Sequence, residues 1–275
     1  MRIFGNCLVK NEADIIAETL GQAARWCDRI FVFDNGSSDG TWNLVRQLAS
    51  REPRIVPFQS AEVPFRNSLR RDTFTHFRPE CRAGDWWCKL DADEIYLDDP
   101  RAFLAAVPAG EHVVWAASFQ FYFTDDDVRR YERDPHAYPP HTTAERALRY
   151  CRCDYSEPRF FRYRDRLRWE RGSEPRHLGL VHPRRIRLKH YQYRSPPQIA
   201  LRLATRQQAI AAGAGVFRDY CETRDWRDTV VPASSCRCCD QPDAFVIDDT
   251  ALPRHLEPPG RRGLKWVMHR SGLWP

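Results

Sequence analysis

The stretch FVFDNGSSDGT, residues 31–41, decides the fold. An apolar strand segment, RIFVF (29–33), runs into Asp34, and turn chemistry then gives way to a helix. Gly36 and Gly40 permit positive φ. Ser37, Ser38 and Asp39 can bond nearby backbone amides, and Asp39 or Thr41 can cap the helix. A good turn therefore explains SSDGT. It leaves Asp34 and Asn35 free to meet the base or ribose of a nucleotide.

The same pattern extends on both sides. RIFGNCLV (2–9) reads as a buried strand. Asn11 can cap the helix after it, with Glu12 and Asp14 in the first turn. Ile15, Ile16, Thr19, Leu20, Ala23 and Ala24 recur at helical spacing. Trp42, Leu44, Val45, Leu48 and Ala49 form the next such stripe. RIVPF (54–58) is a third strand; Leu69, Thr73, Phe74 and Phe77 mark a third helix; WWCKLDAD (86–93) is a fourth strand. Strand and helix alternating in this way predict an α/β fold with a mostly parallel sheet covered by helices. Ligands of such sheets bind outside the carboxyl ends of the strands. Asp34 and DADE (91–94) both lie at such ends.

DADE is the sharpest chemical signal. Asp91 and Asp93, two apart in an extended chain, point to one side. They would repel each other unless a cation lies between them. A divalent ion with hard oxygen ligands, Mg²⁺ or Mn²⁺, fits that need and could hold a diphosphate. A solvated acidic loop is the plainer alternative. Arg66, Arg70 and Arg71 fall on the helix before this strand, Arg66 and Arg70 on one face. A guanidinium fork suits a diphosphate, although a solvated basic face would look the same. Arg194 is a further phosphate candidate.

Composition bounds the rest. The chain has 275 residues, 42 % of them hydrophobic, enough for a sizeable core. No apolar run approaches the ~20 residues of a membrane-spanning helix. The N-terminal residues show no signal-peptide pattern, so a cytoplasmic protein is expected. Its ten cysteines then read as reduced thiols. A zinc site from Cys221, Cys236, Cys238 and Cys239 is the alternative, and free thiols are the plainer reading. The net charge of +6 is almost wholly arginine. Such charge suits phosphate-bearing ligands or an anionic membrane, leaving peripheral association with the inner face of the membrane open. No nucleic-acid recognition motif is present.

The second half is less regular. EHVVWAASFQFYF (111–123) predicts a long strand and DDDVRRYERDPHAYPPHTT a polar loop. PRFFRY and RLRWER suggest a hairpin over 158–171. RIRLKHYQY (185–193) is another strand, with Ile186, Leu188 and His190 on one face. Ser195 predicts a capping box for a helix opened by prolines. Phe119, Phe121, Tyr122 and Trp169 could stack on sugars or simply pack the core. The chain beyond residue 225 is rich in Pro, Arg and Cys.

LVKNEADII, FVFDNGSSDGTW and KLDADEIY, in this order and spacing, resemble family 2 glycosyltransferases of the GT-A fold, over roughly residues 2–100. PRFFRY…LRW…VH…LKHYQYRSPPQ is similar to the later part of a bacterial subgroup whose first motif reads VKNE. The resemblance implies a metal-dependent transferase of polysaccharide or glycoconjugate biosynthesis. It would move a sugar, with inversion, from a UDP-, GDP- or dTDP-sugar to a glycan, lipid-linked or small-molecule acceptor. Val9, Asn11 and Glu12 match the loop lining the nucleotide site. Asp34 matches the carboxylate at base or ribose. Asp91 and Asp93 match the D-x-D motif, Asp91 facing ribose or a metal-bound water and Asp93 the metal. His190 would complete the metal site, and Arg70 and Arg71 would face the diphosphate. Residues 1–225 would form the catalytic domain, with a nucleotide-sugar half (1–100) and an acceptor half (101–225); residues 226–275 would be an extension.

The reaction needs a general base. The interval in which the family places it holds WERGSEPRHLGLVHP, offering Glu170 and Glu174. Glu174 is preferred because Gly172, Ser173 and Pro175 put it in a loop. Asp125 to Asp127 are a reserve. The subgroup often carries VHE where this chain has VHP (181–183). Two other classes compete: a non-catalytic nucleotide-sugar-binding or scaffolding module, and a sugar nucleotidyltransferase. The latter usually opens with a Gly-rich loop, and VKNEAD has no glycine. A dehydrogenase or methyltransferase of the Rossmann type would need a G-x-G loop near residue 10.

Overall fold

A computed structural model describes residues 1–66, 68–170, 172–176, 179–213, 217 and 222–273. Its first half follows the alternation read from the sequence. β1 (Ile3–Val9) leads through residues 10–15 to α1 (Ile16–Ala23). β2 (Arg29–Asp34) leads to α2 (Thr41–Ala49), and β3 (Ile55–Ser60) to α3 (Leu69–Phe77). β4 (Trp86–Asp91) and the short β5 (Glu94–Tyr96) flank the acidic turn.

β3, β2, β1 and β4 pair in parallel, in that order. The register sets Val9 beside Asp34 and Leu8 beside Asp91. Three strand tips therefore stand side by side, about 5 Å apart. Ile3, Cys7, Ile30, Val32, Trp86, Cys88 and Leu90 are buried in one core with the apolar stripes of α1 and α2. Phe4, Phe31, Phe74, Phe77 and Trp87 fill another core under α3.

After α4 (Pro100–Ala105), β6 (Glu111–Phe121) and β7 (Tyr150–Arg162) form a long antiparallel ladder, and β7 joins β4. Between them lie α5 (Asp125–Arg133) and α6 (Ala144–Ala147). β8 (Leu180–Val181) and β9 (Ile186–His190) pair in parallel with β6, and β9 pairs with β5. α7 (Pro196–Ala211), β10 (Arg237–Cys238, on β7) and α8 (Pro259–Arg270) complete the chain. Trp226, Phe245 and Ile247 pack on the core of the β6–β9 half. Among the described residues no helix is long and apolar enough to cross a membrane.

Four local expectations are corrected. Asn11 does not cap α1, which starts at Ile16; Asn11 adopts a left-handed conformation, φ 56°. The expected polar loop contains α5, held by a reciprocal capping box between Thr124 and Asp127. The hairpin expected at 158–171 does not form: residues 158–162 end the long strand β7, whose Pro158 sits at a register shift where a ladder amide is dispensable, and the described residues 163–170 add no second strand. Ser195 stands at the N-cap of α7 without a side-chain cap bond; the Gln198 side chain accepts from the Arg194 amide instead (3.0 Å).

Candidate active site

A cleft of about 1020 Å³ opens at the carboxyl ends of β1, β2 and β4. It continues past the tips of β6 and β9 and the middle of β7 to one face of α7. That volume suits a ligand of nucleotide-sugar size.

The turn after β2 has a mechanical purpose. Asp34 is fully buried and accepts from the Ser37 amide (2.7 Å). The Asn11 amide donates to Ser37 Oγ (2.9 Å), and Asn11 Oδ1 accepts from the Ser38 amide (2.8 Å). The Ala13 amide donates to Asp39 (2.9 Å), and the Glu12 amide to Thr41 Oγ1 (2.9 Å). The turn therefore latches the loop after β1, satisfying amides that no helix takes up. Gly36 is required twice: its φ is 75°, and a Cβ there would stand 2.8 Å from the Glu62 Cα. The Asp34 carboxylate is thus turned into the protein. Its neighbour Asn35 lines the cleft, with a buried Oδ1 that has no partner.

The acidic tip splits its two aspartates. β4 ends at Asp91, and the chain turns at Ala92 and Asp93 before β5. The two side chains therefore do not share one side, as an extended chain would require. Asp91 pairs with Arg70 and with Arg159 Nη1 (2.7 Å). Burial pushes its carboxyl up, but Arg159 and Arg70 outweigh this and hold it below the usual carboxylate range. Asp93 Oδ2 lies 3.2 Å from His190 Nε2 and 3.0 Å from Arg202 Nη1. It too resists protonation: burial opposes ionisation, and His190 followed by Arg202 overcomes it.

The other sequence-predicted residues distribute unevenly. Val9, Asn11, Glu12, Arg70, Asp91, Asp93 and His190 all line the cleft. Arg71 is on the exposed side of α3, paired with Asp72, and is not a lining residue. Arg66 precedes α3 and is exposed, so it shares no helical face with Arg70. Arg194 is wholly buried between Asp14 and Glu12, with no surface left for a phosphate. Burial pushes the Glu12 carboxyl up to about 7, against the pull of Arg194. Phe119, Phe121 and Trp169 are core residues, whereas Tyr122 reaches the cleft and bonds Asp154 (2.9 Å). Ser173 lines the cleft and Glu174 follows it. Burial raises the Glu174 carboxyl above its ordinary value, with Lys89 pulling the other way. Cys236, Cys238 and Cys239 are free thiols, and among the described residues no cysteine joins a metal-ligating group; Cys221 lies outside those residues.

Sequence reasoning missed three side chains. Arg159, 2 % exposed, gathers Asp91, Glu94 and Glu157 around one guanidinium. Glu157 also pairs with Lys89. Arg202 bridges Glu12 (3.2 Å) and Asp93. A signal existed for Arg202: residues 202, 205, 206, 209 and 212 line the cleft at helical spacing.

Two cation sites are thus conceivable. The ligand atoms of Asp91, Glu94 and Glu157 lie within 4.8 Å of one another. Arg159 already fills that space, and Glu94 Oε2 is left buried without a partner. Asp93 and His190 fit an ion better. Their 3.2 Å separation is close to that of neighbouring ligands on an octahedral ion with bonds of about 2.1 Å. A carboxylate oxygen and an imidazole nitrogen both suit Mn²⁺. An ion there would compete with Arg202 for the Asp93 carboxylate.

Parallel strand tips converging on such a cleft define the class: an α/β protein of the GT-A type. The chain belongs to glycosyl transferase family 2, whose model matches residues 8–172. Similar solved structures include the mannosyltransferase PcManGT from Pyrobaculum calidifontis, in complex with GDP-Man and Mn²⁺. That match has 18 % identity over 42 % of this chain and 35 % of that one, with a TM-score of 0.34. Another is S. aureus TarS 1–349 in complex with UDP, at 13 % identity over 44 % of this chain and 36 % of that one, with a TM-score of 0.31. This chain spans little more than a third of the length of either. No curated protein matches it.

Proposed function

We propose that this chain transfers a sugar, with inversion, from a UDP-, GDP- or dTDP-sugar to an acceptor hydroxyl, and that Asp93 and His190 hold the divalent cation, Mn²⁺ or Mg²⁺. The observation that carries this reading is the contact between these two side chains, from strand tips 97 residues apart (190 minus 93), inside one large cleft. Val9, Asn11, Glu12 and Asn35 line the nucleotide pocket, and Asp34 shapes it by holding the turn. Asp91 faces the ribose. Arg70 and Arg202 face the diphosphate. The cation, when bound, supplies Lewis acidity to the departing diphosphate.

Glu174 is the general base in this reading. Its carboxylate takes the acceptor proton as the oxygen attacks the anomeric carbon and the bond to the nucleoside diphosphate breaks. Residues 1–100 serve the donor and 101–225 the acceptor, a glycan, lipid-linked or small hydroxyl compound. Residues 226–275 buttress the acceptor half. The sequence pattern also favours the bacterial VKNE subgroup, and with it glycan or glycoconjugate biosynthesis in the cytoplasm, at the inner face of the membrane.

Incubation with UDP-, GDP- and dTDP-sugars and Mn²⁺ tests the reading. Slow release of free nucleotide from one donor, abolished by a chelator, is expected. No release from any donor, and no thermal stabilisation by any of them, would refute it.

A further inference from the structure

α8 is amphipathic in the wrong direction for a helix that packs on its own domain. Such helices turn their apolar stripe inward. Here the inward contacts are polar. Arg262 donates to the Val181 carbonyl (2.7 Å) and to Glu111 (2.9 Å). Lys265 donates to the Gly179 carbonyl (3.2 Å) and pairs with Glu257, while His269 stacks on His112, ring centres 4.6 Å apart. The apolar side chains face out: Leu264 is 61 % exposed, Trp266 49 % and Val267 52 %. Arg261 and Arg270 are exposed beside them, and the Arg270 guanidinium lies over the Trp266 ring. No aspartate or glutamate occurs after Glu257.

We propose that the outer face of α8 docks on an anionic lipid surface. Leucine, valine and tryptophan would enter the headgroup boundary while arginines meet lipid phosphates. Charge argues against a second copy of this chain as occupant. A two-fold contact through this face would set Arg261 and Arg270 against their own equivalents. α8 packs at Glu111, where β6 begins, and the cleft is reached at Gln120, roughly 30 Å along the strand. Docking therefore leaves the cleft open. The inference is independent of the glycosyl-transfer reading and adds a surface to it.

Vesicle flotation of the full chain tests it. Phosphatidylcholine vesicles with and without phosphatidylglycerol are compared at low and high salt. Binding only to phosphatidylglycerol vesicles, weakened by salt, is expected. Leu264→Ser/Val267→Ser and Arg261→Glu/Arg270→Glu should each weaken it at least about tenfold. Unchanged melting temperatures and unchanged nucleotide release would show that fold and cleft survive. Absence of binding by the wild type, equal binding to both vesicle types, or binding at the wild-type level by both variants overturns the proposal. So does concentration-dependent dimerisation that Leu264→Ser/Val267→Ser abolishes.

Discussion

The parallel half of the sheet and its antiparallel half meet at the β4–β7 ladder, and they secure their site residues by different means. In the parallel half the work is done by side-chain bonds to backbone amides, within the turn after β2 and across to the loop after β1. Asp34 reaches three residues ahead to Ser37, and Asp39 reaches two ahead to Thr41. In the antiparallel half it is done by buried ion pairs between distant segments. Arg159 grips Asp91 across 68 residues, and Arg202 grips Glu12 across 190. The first kind of order is shared among several neutral or singly charged contacts and is tolerant. The second is all-or-none, because removing one charge strands another in a dry place. The difference predicts a gradient of mutational damage.

The largest effect belongs to Arg159→Met. It would leave Glu94, Asp91 and Glu157 without their shared counter-charge, at a cost of about 3–5 kcal/mol. Chemical denaturation would measure it. A cost below 1 kcal/mol would erase the contrast between the halves.

Next comes Glu174→Gln. Turnover should fall about 100-fold or more with donor affinity unchanged. In the wild type the acidic limb of the rate profile should sit above the ordinary glutamate range, because burial holds Glu174 protonated to higher pH and a base acts only once ionised. Wild-type turnover in this variant would remove Glu174 from the role. A comparable loss in Glu157→Gln with intact stability would transfer it there.

Asp85→Asn sits lower, at about 2 kcal/mol. Asp85 accepts from the Arg2 and Arg82 amides (both 2.9 Å) and from the Arg2 guanidinium, tying the starts of β1 and β4 together. Burial pushes its carboxyl up, but Arg2 and these amides bring it below its ordinary value. The folded state therefore binds its proton less readily than the unfolded chain. Its contribution is complete above the unfolded value near 4 and fades as pH falls through the folded one. The gap between wild type and variant should close in acid, which melting curves taken down the pH scale would show.

The smallest effects are two caps. Thr124→Ala should cost about 1 kcal/mol, because Thr124 and Asp127 bond reciprocally at the start of α5. Ser195→Ala should cost less than Thr124→Ala, because that side chain makes no cap bond. Equal costs would mean that the local reading of Ser195 was right after all.

This gradient also explains what could be read in advance. β1, β2, β4 and the helices between them announce themselves through apolar periodicity, and the turn after β2 through its glycines and serines. The purpose of that turn was hidden: its polar groups hold the loop after β1, and a contact between two segments carries no local signature. α5 was hidden because its only apolar residues are Val128 and Tyr131 and its buried residue is Asp127, although acids in its first turn and arginines in its last complement the helix dipole. β7 was hidden because Pro158 and its charges break the alternation, and Glu157 and Arg159 are the very side chains that enter the cleft. Asp91 and Asp93 were legible as a pair. That each would find a different partner depended on a turn at Ala92.

The most direct test counts bound Mn²⁺ by electron paramagnetic resonance, with UDP or GDP present, in the wild type, Asp93→Asn, His190→Ala and Glu94→Gln. One Mn²⁺ should bind the wild type and Glu94→Gln, and at least about tenfold more weakly to Asp93→Asn and His190→Ala. Full binding in both of those, or loss confined to Glu94→Gln, would contradict a cation held by Asp93 and His190.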